Sequence, residues 1–440
     1  MKKKLLPALI VTGLIILVVI IMGITALINK YTPTKKTEDL KEYFNISSDD
    51  EAALIVDNEL SDYKAKIIDK KIYVDYKFVH DSLNSRFYWD ANENVLLYTT
   101  ASDIISAAAD SNSYSVTKQT NDFGYPIVKA TSDSALIALD YVKQYSNITF
   151  KSYDDPARIV ITSKWDEIDS ATVSKSTQVR VKGGIKSPIL KEVKKDDKIT
   201  ILDSGDKWDK VATEDGVIGY IKRKALSESK KTKLTNPDYG EETFTHIKKD
   251  KDICLAWNQV TSQSANSKVP QVISSTKGIN VMSPTWFYLN DNNGNLADIA
   301  SKDYVSYCHS QGIEVWGLFS NLENTDVDAA YVLTHTSTRT TLINQIMSAA
   351  FNYELDGVNI DFENITEAAY GDSYIEFIRE LAIKCHNNGI SLSVDVTVPA
   401  SFNKFFNRSD MANFADYIVI MGYDEHYKAL MPAQFLPFRG

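Results

Sequence analysis

Only three of the 440 residues are cysteine, Cys254, Cys308 and Cys385, and they lie far apart with no CxxC pair. That excludes a disulfide framework and a zinc cluster, and leaves the thiols as small core residues. Glycine (18) and proline (11) are sparse, so collagen-like or long low-complexity stretches are excluded and most of the chain is expected to fold. Positive charge is in short supply too. Lys plus Arg number 48 against 58 Asp plus Glu, a formal net charge of −10, which excludes nucleic-acid binding by bulk charge. HExxH, GxSxG and GxxxxGK(S/T) are absent, and His80, His246, His309, His335, His386 and His426 are scattered. No metal site and no cofactor is called for.

One long apolar run is present. Met1-Lys2-Lys3-Lys4 precedes an uncharged stretch from Leu5 to Ile28, whose helical length of roughly 36 Å exceeds a ~30 Å hydrocarbon core. It is longer than a signal-peptide apolar region and no AxA-like site follows it, so the reading is an uncleaved membrane anchor over residues 5–28. The three lysines favour a cytoplasmic N-terminus. Residues 1–30 are then tip and anchor, and the rest is expected on the extracytoplasmic, cell-wall side of a single-pass membrane protein.

After a polar spacer, residues 65 to 100 and 124 to 162 each alternate strand-like and short helical pieces, a weak internal repeat. Both copies resemble the small stalk module first named from the N-terminal domain of copper amine oxidases, so 31–165 reads as an α+β stalk. Tyr88, Trp89 and His80 there read as core packing before a ligand patch. From 172 to 228 short strands VRVKG, KITILD, DKVAT and VIGYIKR are separated by Gly, Asp and Lys turns, the pattern of a small all-β barrel. Through Val179-Arg180, Trp208 before Val211, and Gly216 followed by Gly219-Tyr220-Ile221, it resembles the bacterial SH3-like domain. The lysines between Lys182 and Lys210 either face anionic wall polymers or form the solvated side of the barrel. Residues 229–245 are a linker.

From His246 to Gly440 the period changes. Apolar strands at Ile253 to Trp257, Ile279 to Tyr288, Ile313 to Ser320, Gly357 to Glu363, Leu392 to Val398 and Tyr417 to Asp424 alternate with helices such as Ser301 to Ser310, Thr340 to Tyr353 and Tyr374 to Asn387. Repeated β/α units imply a parallel sheet covered by helices. The stretch LDGVNIDFEN puts Asn359, Asp361 and Glu363 on one strand face, near the C-terminal end where β/α barrels build active sites. Crowding two carboxyls serves stability poorly, which favours chemistry over an internal polar network.

DGVNIDFE resembles the signature of family-18 glycoside hydrolases, and the likeness continues through SPTWFYL, IEVWGLF and MGYDEHY. Within that family the chain looks most like the bacterial sporulation and cell-wall branch. The resemblance implies a (β/α)8 TIM-type barrel that cleaves β-1,4 bonds next to N-acetylated amino sugars, in peptidoglycan before chitin. It implies Glu363 as general acid and base, and the substrate's own 2-acetamido carbonyl as nucleophile. Asp361 would orient that acetamide and, by its charge, raise the pKa of Glu363. Tyr423 would hydrogen-bond the acetamide, with Asp424 and Met421 shaping the subsite, and Asn359 stands where chitinases commonly carry a further Asp. Trp286 and Trp316 are placed equally as sugar-stacking rings or as barrel core. Only six strands are legible, against eight in a complete barrel. After MGYDEHY the chain reads KALMPAQFLPFRG, without helical or strand period, so the expectation is a barrel truncated after about six β/α units. A non-catalytic wall-glycan-binding protein is the rival reading, and a chitinase the third.

Overall fold

The computed structural model describes residues 5–363, 365, 368–400, 403 and 406–422, without the side chains of 5–8 and 368–369. Contacts gather the chain into two compact units, Met1–Asp75 with Ala138–Tyr239, and Tyr76–Ile137 with Gly240–Gly440. This partition cuts through the 31–165 segment that the sequence suggests as one module.

The first unit begins with helix α1 (Leu5–Tyr31). Its stretch Leu9–Tyr31 has a mean hydropathy of 2.9 and none of it is buried. A helix apolar all round has no stripe to lay on a soluble core, and this one is long enough to cross a membrane, a test that signal sequences also pass. Five strands follow in the order Thr149–Tyr153, Arg158–Thr162, Glu51–Val56, Glu59–Ile68 and Lys71–Asp75, with the Glu51–Val56 and Arg158–Thr162 pair parallel. A second, antiparallel sheet runs Ile189–Val193, Thr177–Arg180, Ile218–Lys222, Trp208–Thr213, Lys198–Asp203, Glu167–Thr172 and Lys230–Lys233. Phe44, Ile55, Val179, Val211 and Ile221 share one core. The short strands read from 172 to 228 all appear, and Ile218–Lys222 alternates buried and half-buried positions.

The second unit holds a five-stranded meander from Phe87–Asp90 to Gln119–Asp122, in which Tyr88 and Trp89 are buried. Beside it stand six parallel strands in sequential order: β1 (Leu255–Asn258), β2 (Val281–Leu289), β3 (Glu314–Ser320), β4 (Gly357–Asp361), β5 (Ser391–Thr397) and β6 (Tyr417–Met421). The crossovers carry α2 (Val269–Ser274), α3 (Lys302–Ser310), α4 (Thr336–Tyr353), α5 (Ala368–His386) and α6 (Arg408–Phe414). This is the connectivity of successive units of a β/α barrel. The expected strands and helices recur close to these bounds, except that α5 begins at Ala368, well before Tyr374, and that the expected strand end at 423–424 lies outside the described residues.

Local chemistry sets the element ends. The Ser301 side chain accepts from the Tyr304 amide to cap α3. Helix α4 buries Leu342, Ile343, Ile346, Met347 and Ala350 at helical spacing and ends on Glu354 in the left-handed conformation. Val358 and Ile360 of β4 point to the helices, into a core shared with Leu342, Phe377 and Leu381. The meander ties to the helices: Asp90 accepts from the backbone and hydroxyl of Thr336 at the start of α4, both at 2.6 Å, and Thr99 donates to Glu376 at 2.8 Å. Beneath that seam Arg339 pairs with Glu380 at 3.0 Å, and Arg379 with Glu376 at 2.9 Å and with Asp410. These buried cations retain their charge because each faces carboxylates.

Candidate active site

The Asp356-Gly357 pair that opens the signature is structural. Asp356 Oδ2 accepts from the Val315 amide and from His309 Nε2, both at 2.8 Å, locking the start of β4 to β3. Gly357 lies under the indole of Trp316, where a Cβ would stand 2.6 Å from the ring. Only glycine lets the strand pass.

Opposite parity to Val358 and Ile360 turns Asn359 and Asp361 to the other face of the sheet. In register, Leu318 of β3, Asn359 of β4 and Ser393 of β5 stand side by side, and Ser320 is opposite Asp361. Two residues on from Ser393 comes Asp395, which brings a second carboxyl to the position neighbouring Asp361. Asn359 is fully buried and organises the layer. Its Oδ1 accepts from Trp257 Nε1 at 3.0 Å and Ser283 Oγ at 2.9 Å, while its Nδ2 donates to Asp395 Oδ1 at 2.9 Å. One amide thus joins β1, β2, β4 and β5, and it sits behind the carboxyls instead of at an open surface.

Among the described residues, Asp361 Oδ1 and Asp395 Oδ2 are buried without a hydrogen-bond partner, as is the hydroxyl of Tyr374 on α5. Buried polar atoms without a partner are rare, and these three lie close enough together to raise one another's pKa values. Burial, reinforced by the charges of Glu363 and Glu323, pushes the Asp361 carboxyl up to about 6. Asp395 goes up to about 7, again mainly by burial, with the hydrogen bond from Asn359 opposing and Asp361 and Glu363 adding to the rise. Burial, with Asp395 and Asp361 nearby, also raises the Tyr374 phenol.

Glu363 follows β4 by two residues, beyond the strand end. A clamp holds it there: its amide donates to Asn321 Oδ1 at 2.9 Å, and Asn321 Nδ2 donates to its carbonyl at 2.8 Å. The side chain is half-buried. Ser320 donates to Glu323, fixing a further carboxylate at the end of β3. Phe362 points the other way, into the core.

The structure brings Asn359, Asp361 and Glu363 together and sets Met421 at the end of β6, buried. Tyr423 and Asp424 lie outside the described residues. Trp286 is fully buried, donating from Nε1 to Asn266 at 2.8 Å and packing edge-on to Tyr304. Trp316 is equally buried, its Nε1 on Glu314 at 3.0 Å and its ring 5.2 Å from that of Tyr417. Of the two roles open to them from sequence, the structure gives both rings the core. Among the described residues around Asn359, Trp257 is an open aromatic, 41% exposed. Sequence reasoning passed over it, and Asp395, Ser283 and Asn321 with it. The alternation in SLSVDVT carried a signal for Asp395, an acid at every-other-residue spacing among small side chains; Asn321 sits in a loop and carried none. Among the described residues no His, Cys, Asp and Glu cluster has metal-holding geometry.

Residues 319–434 match the family model described as Glycosyl hydrolases family 18. Among curated proteins, "Uncharacterized glycosylase YvbX" of Bacillus subtilis (strain 168) is 24% identical over 150 residues, 31% of this chain and 42% of that protein. "Putative sporulation-specific glycosylase YdhD" of the same organism is 29% identical over 110 residues, 24% of this chain and 26% of that protein. The chain spans less than half the length of these curated relatives. Among solved structures, a chitinase from Chromobacterium violaceum ATCC 12472 overlaps 41% of this chain and 59% of its own at 20% identity and a TM-score of 0.35. The Bacillus cereus spore cortex-lytic enzyme SleL overlaps 41% and 42% at 19% identity, with a TM-score of 0.35. Overlaps at that level do not by themselves fix a fold. The likeness to family-18 glycosyl hydrolases lies in the C-terminal part of the chain, over residues 319–434.

Proposed function

We propose that the second unit is a glycoside hydrolase that cleaves β-1,4 bonds next to N-acetylated amino sugars by a substrate-assisted, retaining mechanism, with peptidoglycan as its polymer. The observation that carries the reading is the buried oxygen of Asp361, without a hydrogen-bond partner among the described residues, beside Glu363 at the end of β4. Glu363 protonates the glycosidic oxygen while the 2-acetamido carbonyl oxygen attacks the anomeric carbon. The bond to the leaving sugar breaks and an oxazolinium ring closes. Water then adds at the same carbon, giving its proton to Glu363 and reopening the acetamide.

Asp361 suits the acetamide N–H. Its free Oδ1 can accept that hydrogen when ionised, and its negative charge stabilises the developing cation. Asn359 holds Asp395 next to Asp361, and the Asn321 clamp fixes the backbone of Glu363. By the family resemblance Tyr423 and Asp424, which lie outside the described residues, would hold the acetamide, and Met421 at the end of β6 would shape the same subsite. Trp257 offers an aromatic face for a sugar ring. Peptidoglycan is preferred to chitin because the relative YdhD is described as a sporulation-specific glycosylase and because α1, read as an anchor, would hold the site near a wall polymer and raise its effective concentration. In this reading the parts of 31–165 that belong to the first unit act as a stalk, and 172–228 as an SH3-like module.

The stereochemistry of the product tests the mechanism. Proton NMR of a chitooligosaccharide digest at early times should show the new reducing end as the β-anomer. The α-anomer would rule out the acetamide as nucleophile.

A further inference from the structure

The lysines between Lys182 and Lys210 have no part in glycoside cleavage, yet the first unit gathers several of the unit's cations around one aromatic ring. A cleft of about 520 Å³ is lined by Ile185, Lys207, Trp208, Lys222, Arg223 and Lys224. Trp208 stands opposite Lys222 in register, with the Lys222 ammonium 5.7 Å from the ring centroid. Gly183 closes the other side, where a Cβ would come 3.1 Å from that of Trp208. Of these cations only Arg223 is ion-paired among the described residues, to Asp209 at 3.0 Å. Lys207 and Lys224 are exposed, and Asp206 is the single acid on the rim.

A separate set of contacts puts this cleft beside the end of α1. The Thr34 amide donates to the Ile185 carbonyl at 2.9 Å, and the Arg180 guanidinium donates to the Thr34 carbonyl at 3.3 Å. Lys186 Nζ donates to the carbonyl of Asn29 in the last turn of the helix. Ile185, one wall of the cleft, is therefore tied to a residue three positions past the end of α1. Three extended residues reach roughly 10 Å, comparable to a headgroup layer of roughly 5–8 Å per leaflet. Lys30, Tyr31, Lys35 and Lys36 are exposed around the same exit. Cations with an amphipathic aromatic at the mouth of an apolar helix match the polar boundary of a bilayer.

We propose that the cleft formed by Trp208, Lys207, Lys222 and Lys224 is a docking site for the phosphate-bearing headgroups of anionic lipids, holding the β-rich unit on the membrane surface that α1 enters. The proposal rests on the reading of α1 as a membrane anchor and is independent of the glycosidase chemistry. Lipid phosphates are preferred to a wall polymer because the tie through Thr34 leaves the cleft at headgroup height. The attraction adds up over the lysines and is screened by salt.

The test uses the full chain in nanodiscs of brominated phosphatidylcholine, with or without brominated phosphatidylglycerol. Trp208 fluorescence is taken as the parent minus Trp208→Phe. Expected is quenching of the Trp208 share only with phosphatidylglycerol, its loss at high salt, and its loss in a Lys207→Gln, Lys222→Gln, Lys224→Gln variant with unchanged circular dichroism. Equal quenching in both lipids, or none, overturns the proposal. So does displacement by a soluble poly(glycerol phosphate), which would assign the cleft to a wall polymer. Flotation of the discs separates the premises: a chain that fails to float with either lipid removes the anchor reading and the proposal with it, whereas a chain that floats without phosphatidylglycerol-dependent quenching removes the docking site alone.

Discussion

Replacing Asp395 by asparagine should stabilise the second unit above pH 7 and leave it unchanged near pH 4. An unfolded aspartate titrates near 3.9. In the folded unit burial and the charges of Asp361 and Glu363 take the Asp395 carboxyl up to about 7, despite the hydrogen bond from Asn359. Between those values the folded state holds a proton that the unfolded state has released, so stability falls as pH rises. Below the unfolded value both states are protonated and nothing is lost; above about 7 both are ionised and the full penalty applies. Roughly three pKa units at 1.36 kcal/mol each set a ceiling of about 4 kcal/mol. The substituted amide keeps an oxygen for Asn359 Nδ2 and carries no charge to desolvate. Because the chain has two units, the assay should be local: hydrogen exchange of the β4 and β5 amides from pH 4 to 8, in detergent. The parent's protection should decline with pH, and the variant should retain only the shallower decline that Asp361 causes. Parallel curves, or a variant weaker than the parent at pH 8, would refute the reasoning.

Three further outcomes follow from the same geometry. Gly357→Ala should destabilise the second unit by about 1–3 kcal/mol, since its Cβ must displace Trp316 from a closed core; unfolding in urea would show it as a lower midpoint. Asn321→Ala should lower kcat more than it raises KM, because it frees the backbone of Glu363 without touching a sugar; steady-state kinetics on a chitooligosaccharide separate the two. The acid limb of kcat/KM should fall near pH 6, where Asp361 takes up its proton and loses the charge that supports the oxazolinium. In Asp361→Asn that limb should disappear along with most of the activity, and a limb that stays near pH 6 would assign it to another group.

The six strands of the β/α segment were readable because each is an apolar run of buried-strand length, and the helices between them repeat apolar residues at helical spacing, as Leu342, Ile346 and Ala350 do in α4. The pairing of Asp361 with Glu363 was legible from parity alone. Alternation in SLSVDVT marks the strand face of Asp395, but its approach to Asp361 depends on the register between β4 and β5, which no local pattern encodes. Asn359 illustrates the same limit: its position on the strand was clear, while its role as a buried hub needed Trp257, Ser283 and Asp395 in place. Trp286 and Trp316 look alike in sequence as stacking rings or core, and only burial separates the two. The meander from Phe87–Asp90 to Gln119–Asp122 reads locally as part of a continuous stalk; its attachment to α4 and α5 comes through Asp90, Thr99 and Thr336, long-range partners that carry no sequence signature.

Release of reducing ends from purified peptidoglycan by the full chain in detergent, with Glu363→Gln alongside, tests the central claim most directly. Steady release by the parent and a loss of about 100-fold or more in the variant is the result expected of a glycoside hydrolase built around Glu363. A folded parent that sediments with the polymer but releases no ends, or a variant that releases them as fast as the parent, would contradict it.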